Sequence, residues 1–292
     1  MTAGLRQSLA VTAALTALAL IAFAANSVLT RLALAPGLIE ADRFAALRVL
    51  SGAITLWLIV ALRSRAPGVA RARPGLAPAL ALALYLCGFT LAYASLETGT
   101  GALILFGSVQ ATMIGWGLLS GERLPLLGWS GLAIAITGLA VQLLPGAGAA
   151  DPVGAVLMVA AGIGWGWYSL IGRGVSDALG ATAWNFTLAA PLVLAMEPLM
   201  ADRAFEPEGA LFAIASGALA SGLGYALWFR ALPHLTALRA AAVQLAVPAI
   251  AAVGGVILLS EPVTLRLAIA ATATLGGVGM VLAARAARSE SR

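Results

Sequence analysis

Residues 98–121 read TGTGALILFGSVQATMIGWGLLSG, 24 positions without a charge between Glu97 and Glu122. As a helix rising about 1.5 Å per residue, this run outreaches the ~30 Å hydrocarbon core of a bilayer. It decides the fold because it recurs. Charge-free runs of 18 to 27 residues lie between Arg6 and Arg31, Arg73 and Glu97, Arg123 and Asp151, Asp151 and Arg173, Asp177 and Glu197, Glu208 and Arg230, Arg239 and Glu261, and Arg266 and Arg285. A tenth run, Phe44 to Leu62, is apolar apart from Arg48. The chain is therefore expected to be an all-α integral membrane protein with ten spans. At about 20 residues each, these leave only short connections in 292 residues. The alternating pattern of a membrane β-barrel is not seen.

Composition agrees. Hydrophobic residues make up 61% of the chain and charged residues 10%, where a soluble domain carries about 25% charged residues. Mean hydropathy is +0.99. All seventeen basic residues are Arg. Without Lys there is no Walker A phosphate loop, so no ATPase function is evident in this chain. Schiff-base chemistry with retinal or pyridoxal phosphate is excluded too. One Cys and one His leave no disulfide framework and no usual zinc site, and no cofactor is expected. Enzyme chemistry would need convergent acid, base or nucleophilic groups, and no carboxylate falls in mid-span. The basic pI near 10.3 reads as membrane orientation, with no nucleic-acid partner expected.

With the N-terminus cytoplasmic, twelve Arg fall inside and four outside, Arg48 lying within a span. Both termini are thus expected in the cytoplasm of a multi-pass protein. The first run carries Ala33-Leu34-Ala35, which resembles a signal-peptide cleavage site. Its length exceeds the roughly 7–15 apolar residues of such peptides, and it contains Asn26, Ser27 and Thr30.

The chain also echoes itself. Leu119-Ser120-Gly121-Glu122 returns as Leu258-Leu259-Ser260-Glu261, 139 residues later. At that offset Gly115 meets Gly254 and Gly138 meets Gly277. Ser27 to Arg31 is echoed by Ser169 to Arg173. Two five-span halves, 1–150 and 151–292, are expected. An odd number of spans per half inverts the second against the first. Inverted repeats of this kind build secondary transporters with a central midplane cavity. Glu122 and Glu261 then fall at opposite membrane faces and read as connector structure.

Five-plus-five spans with Glu-terminated fourth and ninth helices resemble the EamA branch of the drug/metabolite transporter superfamily. Phe44-Ala45-Ala46-Leu47-Arg48 resembles that family's second-helix motif. Gln244 through Pro248 to Glu261 resembles its ninth-helix motif. The fourth helix departs from the pattern, with Val109 where the ninth has Pro248. Within the family, Trp165-Gly166-Trp167-Tyr168-Ser169 and Tyr225-Ala226-Leu227-Trp228-Phe229 look most like bacterial aromatic amino acid exporters. The resemblance implies export of amino acids across the bacterial inner membrane. Drugs, nucleosides or other metabolites are the alternative cargo.

A zwitterion in a low-dielectric cavity needs polar partners, since each unpaired polar group costs roughly 1–3 kcal/mol. Aromatic faces attract ammonium groups. The candidates are Asn26 on the first helix; Tyr85, Phe89 and Tyr93 on the third, spaced on one face; and Phe106 and Gln110 on the fourth. The sixth offers Trp165, Tyr168 and Ser169, the eighth Ser221, Tyr225 and Trp228, and the ninth Gln244. For Asn26 and Gln244, hydrogen bonding between helices is an equal reading. Two residues are expected to gate. Pro248 removes a backbone hydrogen bond and should bend its helix. Arg48 either attracts a substrate carboxylate or closes the outer face by pairing with Glu40 or Asp42.

Overall fold

The computed structural model describes residues 3–63, 74–121, 124–144, 150–172, 175–196, 205–231, 234 and 243–290. Among them the fold is all-helical. The helices are α1 (Ala3–Leu34), α2 (Ala41–Arg63), α3 (Leu76–Ala92), α4 (Thr98–Leu119) and α5 (Leu126–Leu143). They continue as α6 (Pro152–Ile171), α7 (Ala178–Leu194), α8 (Pro207–Ala231), α9 (Ala246–Leu259) and α10 (Leu265–Glu290). Each occupies one of the ten apolar runs. Extended structure among the described residues is a bridge between Ile39 and Phe205. In lipid a helix alone satisfies its own backbone, which is why uninterrupted apolar runs become helices.

Five of these helices are long and apolar enough to cross a membrane: Val11–Leu34, Ala41–Arg63, Thr98–Leu119, Pro152–Ile171 and Pro207–Ala231. Among the described residues the other five show apolar helical stretches of 10–17 residues, where charge spacing leads one to expect ten full-length spans; α5 and α10 themselves run 18 and 26 residues. Several ends are shortened by terminators that charge counting ignores: Pro125 and Gly75 precede helices, and Ser260 closes α9 in a left-handed conformation (φ 55°). Asp151 and Asp177 start α6 and α7 by accepting from the backbone N–H of Gly154 and Gly180, as N-cap side chains do.

The surface is inverted relative to a soluble protein. Leu18, Ile21, Ile54, Leu58, Val156, Leu211 and Ile257 are exposed, whereas Asn26, Arg48, Gln110, Asn185, Ser216 and Ser221 are buried. Apolar side chains facing outward match a hydrocarbon surround.

Helix α1 packs on α8 and α9, α2 on α7 and α8, α3 on α6 and α7, and α4 on α6 and α9. Helix α5 packs on α10. Glycine permits that last approach. A Cβ on Gly131 would stand 2.6 Å from the Gly277 carbonyl oxygen, and one on Gly138 would stand 2.6 Å from Thr274 N. Small residues let membrane helices meet backbone to backbone in this way.

The two expected gating residues take defined places in the fold. Pro248 lies in the first turn of α9, after a turn at Leu245. Helical Val243 and Gln244 precede that turn, so the helical pattern breaks three residues ahead of Pro248, which has no N–H to bond the carbonyl of Gln244 four residues back. Arg48 pairs with neither Glu40 nor Asp42; its side chain turns inward to Tyr85 and Ser221. Glu122 lies outside the described residues.

Candidate functional site

Helices α1, α3, α4, α6 and α8 converge on a cavity lined by Phe23, Asn26, Tyr85, Phe89, Leu105, Phe106, Trp165 and Tyr225. Its volume is about 10 Å³, the room of about one water molecule. The structure is thus closed around its centre. Aromatic edges do the closing. Tyr85 and Trp165 centroids lie 4.9 Å apart and Trp165 and Tyr225 5.2 Å apart. Phe23 meets both Tyr225 and Trp228 edge-on at 5.8 Å, a favoured arrangement of ring quadrupoles.

A polar network runs behind this ring. Helix α8 contains a π-helical segment, Ser216–Leu223. Its wider turn brings residues five apart onto one side. Ser216 and Ser221 accordingly both donate to Asn26 Oδ1, at 2.8 and 3.2 Å. Ser221 Oγ also accepts from Arg48 Nε at 3.4 Å, and Arg48 Nη2 donates to Tyr85 Oη at 2.9 Å. The guanidinium carbon lies 4.6 Å from the Phe89 ring centroid and 5.4 Å from that of Tyr85. Cation–π attraction and two hydrogen bonds thus hold the cation. Arg48 Nη1 and Tyr225 Oη are buried without a hydrogen-bond partner.

The network ties α1, α2, α3 and α8 together. It explains why Gly217 lies on α8: a Cβ there would collide with Ser51 Oγ and the Arg48 carbonyl.

A second polar cluster lies at one end of the bundle. Arg31 Nε contacts Glu261 Oε1 at 3.2 Å, and Arg31 Nη1 donates to the carbonyls of Tyr93 and Ala94. Glu261 Oε2 accepts from Thr98 N at 2.8 Å. This clasp joins the ends of α1, α3 and α9 to the start of α4. Glu97 is beside it; burial and the Glu261 charge raise its carboxyl above the ordinary value, with Arg31 acting in opposition. The half-buried Asp151, far along the chain but bonded to Ser95, is held below the usual carboxylate range by the Gly154 N–H and the Ser95 hydroxyl.

Asn26, Tyr85, Phe89, Phe106, Trp165 and Tyr225 line the cavity directly. Ser221 and Trp228 stand behind its lining. Tyr168 is one layer out, stacked on Trp165 and hydrogen-bonded to Thr182 and Asn185. Tyr93 belongs with the clasp end, its hydroxyl on the Thr98 carbonyl at 3.3 Å. Ser169 bonds its own helix at the Trp165 carbonyl. Gln110 is buried on α4 and Gln244 is half-buried ahead of α9; neither lines the cavity. Pro248 is buried in α9, away from that lining.

The profile of the EamA-like transporter family matches residues 152–283. The uncharacterized protein PA1977 of Pseudomonas aeruginosa is 48% identical over 279 residues, covering 94% of this chain and 96% of that one. The chain belongs to the EamA-like transporter family. A crystal structure of a protein at 20% identity also shares the fold, with a TM-score of 0.62 over 91% of this chain and 98% of its own.

Membership makes this EamA-like chain a multi-pass membrane protein of a transporter family, with a small-molecule substrate. In it, sequence reasoning misses Phe23, Leu105 and Ser216. Phe23 and Leu105 carry no polar signal, and Ser216 reaches Asn26 only through the π-helical geometry. Asn185 is missed because its partner Tyr168 is expected to face the cavity.

Proposed function

We propose that the protein is a secondary transporter that exports amino acids, aromatic and other neutral ones, from the cytoplasm by alternating access. The carrying observation is the closed aromatic cavity with Asn26 in its wall and Arg48 behind Tyr85 and Phe89. A cargo cannot enter a space the size of one water, so the bundle must open to receive it. This reading has ten spans in two inverted halves, 1–150 and 151–292, in the bacterial inner membrane with both termini cytoplasmic.

The helix contacts support the inversion. Exchanging α1–α5 with α6–α10 turns α3 on α6 into α8 on α1, α4 on α6 into α9 on α1, and α3 on α7 into α8 on α2; all six contacts exist. The α2–α7, α4–α9 and α5–α10 contacts are their own images. Gly121 and Ser260, matched in the echo, are both left-handed, with φ of 87° and 55°. The end contacts also support the topology. Arg31 meets Glu261, and Arg63 meets Asp177, each pair lying on one face by span counting.

Counterflow in proteoliposomes tests the cargo. Neutral and aromatic amino acids should exchange, and Tyr225→Ala should reduce exchange by about tenfold or more, a loss of at least ~1.4 kcal/mol at the cavity wall. Drugs or nucleosides exchanging in place of amino acids would overturn the amino-acid reading. Failure of every solute would overturn transport itself.

A further inference from the structure

Arg48 is fully buried, and among the described residues no carboxylate lies within 4 Å of it. The nearest acid on its own helix, Asp42, directs one oxygen to Arg43 N and leaves the other without a partner. A guanidinium does not deprotonate inside a protein, so it cannot escape the cost of burial by becoming neutral. A buried ion without a counterion is a standing penalty. Nη1 has no hydrogen-bond partner at all.

Two of the groups that touch Arg48 border the cavity. Tyr85 Oη and the Phe89 ring both contact the guanidinium and both line the central space. They stand where a ligand on Arg48 would stand. The rest of the wall offers donors. Tyr225 Oη is buried and unpartnered. Asn26 Oδ1 already accepts two serine hydroxyls, so the amide has its NH₂ left to offer. None of the eight lining residues is an acid.

We infer that Arg48 is the carboxylate-recognition residue of the cavity, that the cargo's carboxylate replaces Tyr85 and Phe89 against it, and that a cargo ammonium group is dispensable. The inference rests on the transporter reading of this site. The guanidinium fork matches the two oxygens of a carboxylate, and the cargo anion removes the buried net charge. The aromatic wall accepts the apolar body. The ligand class is a monocarboxylate with an aromatic or other apolar body. An amino acid is admitted through its carboxylate.

The test compares phenylalanine, phenylalaninamide and 3-phenylpropionate on the full-length protein, in counterflow and by quenching of tryptophan fluorescence in detergent. In wild type, 3-phenylpropionate should bind at least as tightly as phenylalanine. The amide should be weaker by about tenfold or more, the scale of one lost charge-assisted pair. In Arg48→Gln that preference for acid over amide should fall to within about twofold, and Arg48→Lys should keep part of it. An amide that equals the acid in wild type overturns the inference, whether or not the Arg48 variants fold. A preference for acid that survives intact in folded Arg48→Gln overturns it as well. If 3-phenylpropionate moves and no amino acid does, the amino-acid reading falls and the Arg48 assignment stands. If phenylalanine and its amide move equally, the assignment falls and the amino-acid reading stands. If none of the three binds or moves, both fall.

Discussion

The two carboxylate oxygens of Glu261 go to different helices, Oε1 to Arg31 on α1 and Oε2 to the first backbone N–H of α4. The second contact places negative charge at a helix N-terminus, where the dipole favours it. Both side chains of the pair are mostly buried, with 17% and 11% exposure, so solvent screening is modest. Glu261→Gln keeps a hydrogen-bond acceptor and removes the charge. It should lower stability in detergent by about 1–3 kcal/mol. Crossing it with Arg31→Gln in a double-mutant cycle should give a coupling of about 1–2 kcal/mol. A coupling near zero in thermal or denaturant unfolding would show that the two residues merely lie near each other. Span counting puts Arg31 and Glu261 at one face but reads Glu261 as a connector. Nothing in one sequence says that residues 230 positions apart meet. Arg48 shows the same limit. Its position in a span is legible; its partners are not, because Glu40 and Asp42 are neighbours in sequence and Tyr85 and Ser221 are neighbours only after folding.

At the scale of elements, α8 departs most from its sequence pattern. Ser221, Tyr225 and Trp228, expected at the cavity from their spacing, are all buried, and of the three Tyr225 lines the cavity. Ser216 escapes α-helical reasoning because residues five apart fall on different faces of an α-helix, and the π-helical segment re-aligns them. Six of the eight residues in that segment, SGALASGL, are small, and they let it press on α2. Gly217 faces backbone and Ser51 there, while a methyl group added at Gly276 on α10 would meet nothing within 4 Å. Gly217→Ala should therefore destabilise by about 1–3 kcal/mol through overpacking. Gly276→Ala, free of any clash, should be neutral or stabilise by up to about 1 kcal/mol through helix propensity. Unfolding of the two variants side by side separates packing from propensity. Equal effects would mean that the α2–α8 contact is not tight. The π-helical segment should also make Gly217→Ala perturb the Asn26 site, seen as altered tryptophan fluorescence of Trp165.

For the whole molecule, the proposed alternating access would divide the contacts into a scaffold and a moving part. Helices α5 and α10 bury glycine against glycine and line no part of the cavity. Helices α1, α3, α4, α6 and α8 surround the cavity, and the clasp fastens α1, α3, α4 and α9 at one end. Charge spacing makes the ten apolar runs legible, and the echo around Glu122 and Glu261 points to two halves. Charge spacing says nothing of which helices form the scaffold, because apolar runs look alike until their glycines meet. Alternating access in an inverted repeat needs the clasp to open while the scaffold holds. In a Cys87→Ala background, a short bifunctional thiol reagent can bridge Ala135→Cys to Thr274→Cys across α5 and α10, whose side chain and backbone lie 3.4 Å apart. The same reagent can bridge Arg31→Cys to Glu261→Cys across the clasp. The scaffold bridge should leave counterflow within about twofold of the unbridged double variant, and the clasp bridge should cut it about tenfold or more. Counterflow that survives the clasp bridge and stops with the scaffold bridge would reverse the assignment, making α5 and α10 the moving pair and the Arg31–Glu261 end the fixed one.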